Sequence, residues 1–335
     1  YIRCMSEPER FTRWERYEKT LKNCPGLVFL YAGNMDVTLM HRDLFRGTDE
    51  QYVKLQSYTV SRGPANDYGL FYTAAVCCGK LPGPAPAAVA QRKEGVYHPG
   101  MSRDITLEEY RRTLKPDRPT VGILFTANYW TYDNLDAIDA LIRGMEDHGM
   151  NTVPVFFSSV SFTVEGVSGT KAIVEQYFTE CGKVLIDALV LCTSFSQLTN
   201  SRTCQGVGTR DDENYYKHLL NVPTLHAISI NGDYHDFEED RIGLGKRDIT
   251  ANVAYPEIDG NIITVPYAYT PRRSVKRAVP IPDRIDHLCR LTKGWASLRH
   301  KPAAERKIAV LLYQSRPATS AAPRGLTGSR ASPLC

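Results

Sequence analysis

The nine cysteines of this sequence include no C-x-x-C pair and none has a nearby histidine at metal-site spacing, which excludes a zinc module and leaves reduced thiols as the reading. Cys192, inside the run Ala188-Leu189-Val190-Leu191-Cys192, reads as a small core residue. No stretch approaches the ~20 apolar residues of a membrane-spanning helix. Reduced thiols lead to the expectation of a cytoplasmic protein, and nothing at the start, at Tyr1 rather than Met, resembles a signal peptide. The net charge is only +4, and the basic residues are dispersed except between Arg272 and Arg277, so no nucleic-acid footprint is indicated. Phosphate-binding loops are missing as well. No G-x-x-x-x-G-K-[ST] occurs, and the first sheet strand is followed by Ala127-Asn128-Tyr129-Trp130 rather than by G-x-G-x-x-G, so the chain carries no ATP motif.

What is present is an ordinary folding composition. Hydrophobic residues make up 42% and charged residues 23% of 335 positions, enough chain for two to three domains at ~150 residues each. Phe11, Trp14, Tyr17 and Leu21 fall at helical spacing within 7–21, a short strand is expected at Leu27–Tyr31, and 49–58 and 67–78 read as helices. Residues 79–90 are rich in Pro, Gly and Ala and read as a linker or extended crossover. From Arg118 apolar strands alternate with helices: Pro119–Phe125, a helix over 133–148 closed by Gly149, Thr152–Phe157, a helix over 169–181, Ala188–Cys192, a helix over 211–220, and Thr224–Ile230. The expected fold class is α/β, a doubly wound parallel sheet domain with an N-terminal mixed α/β region and the start of a further α/β domain. In domain terms this is a helical or mixed region 1–90, a linker 91–118, the doubly wound domain 119–280, a helix and first strand at 281–317, and a tail 318–335. Ligands bind such sheets beyond the carboxyl ends of the strands, which singles out loops 126–132, 158–168, 193–209 and 231–241.

Several residues offer chemistry. Asn252-Val253-Ala254-Tyr255-Pro256-Glu257-Ile258-Asp259-Gly260 ends an apolar approach with two carboxylates one residue apart at an expected turn; in a strand they would share a face. His98, before Pro99, is held near extended geometry and could be displayed to a pocket, although a lone histidine is more often structural. His235 lies between Asp233 and Asp236 after the fourth strand, where metal or proton-transfer roles compete with plain solvent exposure. Arg272 and Arg273 begin a basic cluster suited to ligand carboxylates, or to a solvated loop.

The ordered blocks Gly95-Val96-Tyr97-His98-Pro99, Pro119–Phe125, Asp136–Ile142, Pro154-Val155-Phe156, Asn221-Val222-Pro223, Gly243-Leu244, Asn252–Gly260, Trp295–Arg299 and Lys307–Pro317 resemble the large subunit of the cobaltochelatase and magnesium-chelatase H family. The resemblance covers about Gly95 to Pro317 and extends more loosely over the N-terminal part. The Pro-Glu-Ile-Asp-Gly form and the ending Gln314-Ser315-Arg316-Pro317 look closer to the cobalt branch. The resemblance implies a tetrapyrrole as bound substrate, cobalt as substrate metal with magnesium as the alternative, and separate ATPase subunits as partners that use ATP. A scaffold role, docking those subunits only, is a further alternative. It also implies that Asn252, Glu257 and Asp259, with His98, His235, Arg272 and Arg273, are candidates for the tetrapyrrole site; Glu257 and Asp259 either line the macrocycle cavity or anchor the turn. No resident metal site is expected. The His-Gly-x-Leu-Glu-Trp-Leu-Pro-Gly-Lys segment associated with the family's catalytic centre is absent from the sequence, so the chain is expected to be inactive alone. The tail 318–335 matches nothing in the family and is expected to be a frameshift product of a larger gene.

Overall fold

The computed structural model describes residues 2–3, 13–24, 28–31, 41–158, 167–197, 216–241, 243–272 and 277–309. The chain divides into a compact unit, residues 1–299, and a C-terminal unit, residues 300–335, in which Ala303–Glu305 form a single 3-10 turn. The expected strand at 307–313 is irregular and exposed over 307–309, and its remainder lies outside the described residues together with Arg273 and the tail 318–335.

The N-terminal region pairs β1 (Ile2–Arg3) in parallel with β2 (Leu30–Tyr31) and adds helices α1 (Trp14–Lys22), α2 (Asp49–Val60) and α3 (Pro64–Cys77). Thr48 and Gln51 start α2 with a capping box, each satisfying a backbone N–H of the other. Phe29, Phe45, Tyr52, Leu55, Tyr58 and Leu70 form its core. The Pro-rich crossover is tied down by Asn66, whose Nδ2 donates to the Val89 carbonyl at 2.7 Å and whose Oδ1 accepts from Val89 N at 2.8 Å. Residues 91–118 are more than a connection. They carry β3 (Gly95–Val96), an antiparallel edge strand, and α4 (Leu107–Arg111), whose Tyr110 is buried.

A mostly parallel sheet of seven strands dominates the remainder. Its parallel strands are β4 (Thr120–Thr126), β5 (Asn151–Phe157), β8 (Ala188–Cys192), β9 (Thr224–Asn231) and β10 (Ile262–Thr270), and β3 and β11 (Val279–Pro280) close the two edges in antiparallel sense. The doubly wound class expected from the apolar runs is the class observed. Counting parallel strands alone, the order across the sheet is 2-1-3-4-5. The central strands are buried throughout, as sheets covered on both faces require.

The helix expected over 133–148 is α6 (Asp136–Asp147), and the expected loop 126–132 carries a short helix of its own, α5 (Ala127–Thr131), set apart from α6 at Asp133, whose φ is 53°. Ala137, Ile138, Leu141, Ile142 and Met145 of α6 face the sheet, alongside the long helix α12 (Pro282–His300), which packs closely where Gly144 leaves room for Ile285 and Cys289. α7 (Thr170–Phe178) and α8 (Tyr216–Leu220) cover the opposite face. α7 stops at Phe178 rather than reaching Cys181, because the chain turns into a hairpin of β6 (Thr179–Glu180) and β7 (Lys183–Val184). The polar stretch after β9 forms helix α9 (Tyr234–Glu239) instead of a loop.

The crossover from β9 to β10 is one helical path: α10 (Lys246–Ile249), a π-helical turn at Thr250–Ala254, and α11 (Tyr255–Ile258). Pro256 has no N–H to give the carbonyl four residues earlier, and the wide turn accommodates that loss. Gly260, at φ 77°, ends the helix: Gly260 N donates to Glu257 O at 2.8 Å and Asn261 N to Pro256 O at 2.9 Å. That is the Schellman pattern, which requires a left-handed residue.

Candidate functional site at the carboxyl edge of the sheet

The strand order reverses between β4 and β8, since β4 leads outward to β5 and β8 leads the other way to β9 and β10. The crevice beyond the carboxyl ends of such strands is where doubly wound sheets hold ligands. Here the chain leaves β8 as Thr193-Ser194-Phe195-Ser196-Gln197, and this loop is fastened to the 246–258 helical path along its length. Ser194 Oγ donates to Asn252 Oδ1 at 2.8 Å, Phe195 N to the Ala251 carbonyl at 2.7 Å, Ser196 Oγ to Asp259 Oδ1 at 2.6 Å and Gln197 N to Asp259 Oδ2 at 2.7 Å. Gln197 Oε1 accepts from Thr170 Oγ1 at 3.2 Å, which extends the network to α7. Asn252 Nδ2 donates to the Ser229 carbonyl on β9 at 3.4 Å. A similar tie closes the top of the crossover, where Asp248 accepts from Asn231 N at 3.1 Å and from Asn231 Nδ2 at 2.7 Å.

Asn252 and Asp259 are each only 1% exposed. Burial raises the Asp259 carboxyl above the usual carboxylate range, opposed by the bonds from Ser196 and Gln197 and by the positive charge of Lys217. Lys217, on α8, is pushed down to about 8 by burial, with Asp259 pulling it back, and its Nζ has no hydrogen-bond partner among the described residues. Asp259 is therefore the acceptor that holds the β8 loop.

The loop holds one residue in a position that its own preferences oppose. Phe195 has φ 67°, in the left-handed region that a bulky residue rarely occupies. Its ring is 55% exposed and meets the ring of Tyr255, 38% exposed, at a centroid distance of 6.4 Å.

The expected pairing of Glu257 with Asp259 is not found. In a strand the two would share a face; on a helix residues two apart diverge. Asp259 turns inward and Glu257 is exposed. His98 lies at the opposite, amino-terminal end, because β3 runs antiparallel to β5. Its Nδ1 accepts from Gly100 N at 3.1 Å, which leaves Nε2 to donate to Glu146 Oε1 at 3.0 Å, and Thr152 Oγ1 donates to the same oxygen at 3.1 Å. His235 is 76% exposed on α9 and pairs with Glu239 at 3.3 Å. Arg272 is exposed beyond β10, and its guanidinium lies over Gly232 in the turn that leads into α9. The structure thus joins Asn252 and Asp259 in one network, sets His235 and Arg272 at a second position along the same edge, and separates His98 from both. Ser194, Phe195, Ser196, Gln197 and Lys217 carry no motif; only the position of loop 193–209 after a strand pointed to four of them. Among the described residues no group of three or more His, Cys, Asp or Glu could hold a metal ion.

The chain is a doubly wound α/β protein whose β8 loop is fastened at the switch point of the sheet. More specifically, the chain belongs to the CobN/Magnesium Chelatase family, whose family model matches residues 56–326. It is 28% identical over 274 residues to the aerobic cobaltochelatase subunit CobN of Pseudomonas aeruginosa, covering 78% of this chain and 20% of that protein. It is 28% identical over 261 residues to the H-type magnesium-chelatase subunit of Rhodobacter capsulatus, covering 71% of this chain and 20% of that protein. The solved catalytic subunit of cobaltochelatase from Mycobacterium tuberculosis shares the fold at a TM-score of 0.59 and 20% identity, over 91% of this chain and 24% of that one. The chain thus spans about a fifth of the length of the curated relatives it matches.

Proposed function

We propose that this chain is part of the macrocycle-holding large subunit of a metal chelatase, which inserts cobalt into a corrin-ring precursor in cobalamin synthesis. The observation that carries this reading is the family match over residues 56–326, together with a relative named as a cobaltochelatase subunit. Magnesium and a porphyrin are the second reading, favoured by the equal identity to an H-type magnesium-chelatase subunit. Insertion removes two pyrrole N–H protons and delivers a dehydrated divalent ion, so it calls for a base, a transient ligand and a site closed to water. The role we assign to this chain is holding the ring. Asp259, the buried acid of the motif, accepts from Ser196 and Gln197 and so supports this role by holding the β8 loop. In this reading the chain inserts no metal alone, works in the cytoplasm, and acts with ATPase subunits that supply the energy.

Gene disruption tests the reading. The expected result is cobalamin auxotrophy with accumulation of a metal-free corrinoid. Intact cobalamin synthesis with loss of magnesium porphyrin would select the second reading, and no change in either product would overturn both.

A further inference from the structure

Resting on that reading, we propose that Phe195 and Tyr255 form the surface on which the flat conjugated ring stacks, with Lys246 and Arg247 placed to take its peripheral carboxylates.

Phe195 is an apolar residue whose placement leaves more than half of it in solvent. It sits in a backbone conformation that glycine would adopt freely. Nothing about the loop's own stability calls for a phenylalanine there, yet its conformation is fixed from three sides, through Ser194, its own N–H, and Ser196. A strained residue that its surroundings over-determine points to function. The partners that fix it, Asn252, Ala251 and Asp259, come from one nine-residue stretch together with the residue just before it, and the same stretch supplies the second ring, Tyr255. One turn on, Ile258 is 57% exposed and enlarges the apolar surface.

The occupant follows from shape and charge. Two exposed rings beyond the strand ends suit a wide, flat, conjugated ligand, since aromatic faces gain by offset or tilted stacking. Lys246 and Arg247 are exposed on the same helical path, about two turns before Tyr255, and supply cations along it. A tetrapyrrole with carboxylate side chains joins those two features in one molecule.

The test is an absorbance titration of the 335-residue chain with coproporphyrin I, a free-base porphyrin bearing four carboxylates. Wild type should give a saturable shift of the main absorbance band. Phe195→Gly and Tyr255→Ala should each weaken binding about fivefold or more, as expected for the loss of one stacked ring. Phe195→Gly should also leave the Tm unchanged or higher, because glycine relieves the positive φ. Lys246→Gln with Arg247→Gln should weaken binding and reduce its dependence on salt. Wild-type affinity in both ring variants would overturn the stacking surface while leaving the chelatase reading to the gene disruption above. Weaker binding that comes with a fall in Tm for Phe195→Gly would overturn it too, as would the absence of any saturable change with wild type.

Discussion

His226 is a histidine kept neutral by the sheet. It lies on β9 with 1% of its surface exposed, and neither ring nitrogen has a hydrogen-bond partner among the described residues. Burial pushes its pKa down to about 4 from an ordinary value of 6.5. Between those two values the unfolded chain binds a proton that the folded chain refuses. The folded state therefore keeps its full stability above pH 6.5 and loses it as the pH falls toward 4, by about 3 kcal/mol over the window at 1.36 kcal/mol per unit. Other carboxyls titrate in the same range, so the variant must be compared with wild type. Urea midpoints measured at pH 7 and pH 4.5 should fall steeply for wild type and much less for His226→Leu; equal slopes would refute this assignment.

At the scale of elements, the sheet-to-helix connections decide the site. Asp259 joins the β8 loop to the end of α11 and faces Lys217 of α8, so removing it strands a buried cation and two donors. Asp259→Ala should cost about 3 kcal/mol, read as a lowered urea midpoint. Adding Lys217→Met should recover part of the loss, because the unpaired charge goes with it. A change within about 0.5 kcal/mol for Asp259→Ala would show that the latch does not matter. The sequence made much of this architecture legible, and its ambiguities have physical causes. Buried parallel strands are continuous apolar runs, so β4, β5, β8 and β9 stood out, and α6 was visible in the helical spacing of Leu135, Ile138, Leu141, Ile142 and Met145. Asp-Gly at 259–260 pointed to a turn because a left-handed glycine serves both turns and helix ends. Asn252 and Asp259 were legible as candidates, but Ser194, which bonds Asn252, and Ser196 and Gln197, which bond Asp259, are ordinary loop residues whose role exists only once the β8 loop and the 246–259 path are adjacent. Lys217 and His226 left no signal, since burial of a polar side chain is set by tertiary packing.

Across the sheet unit, one polar network lies at each end of the strands. His98, Glu146 and Thr152 tie the amino-terminal end, while Ser194, Asn252, Ser196 and Asp259 shape the carboxyl end at the point where the strand order reverses. Under the proposed function the Asn252–Gly260 stretch holds this edge in shape for a macrocycle, with Asp259 as a positioning residue and Glu257 as a solvent-facing neighbour. The most direct measurement is an equilibrium titration of the chain with a metal-free corrinoid, comparing wild type with Asp259→Asn and Glu257→Gln after circular dichroism has shown all three folded. The account predicts saturable binding to wild type, an affinity within twofold of it for Glu257→Gln, and a loss of roughly tenfold for Asp259→Asn, about 1.4 kcal/mol. Binding that survives Asp259→Asn unchanged, or that is lost with Glu257→Gln instead, would contradict it.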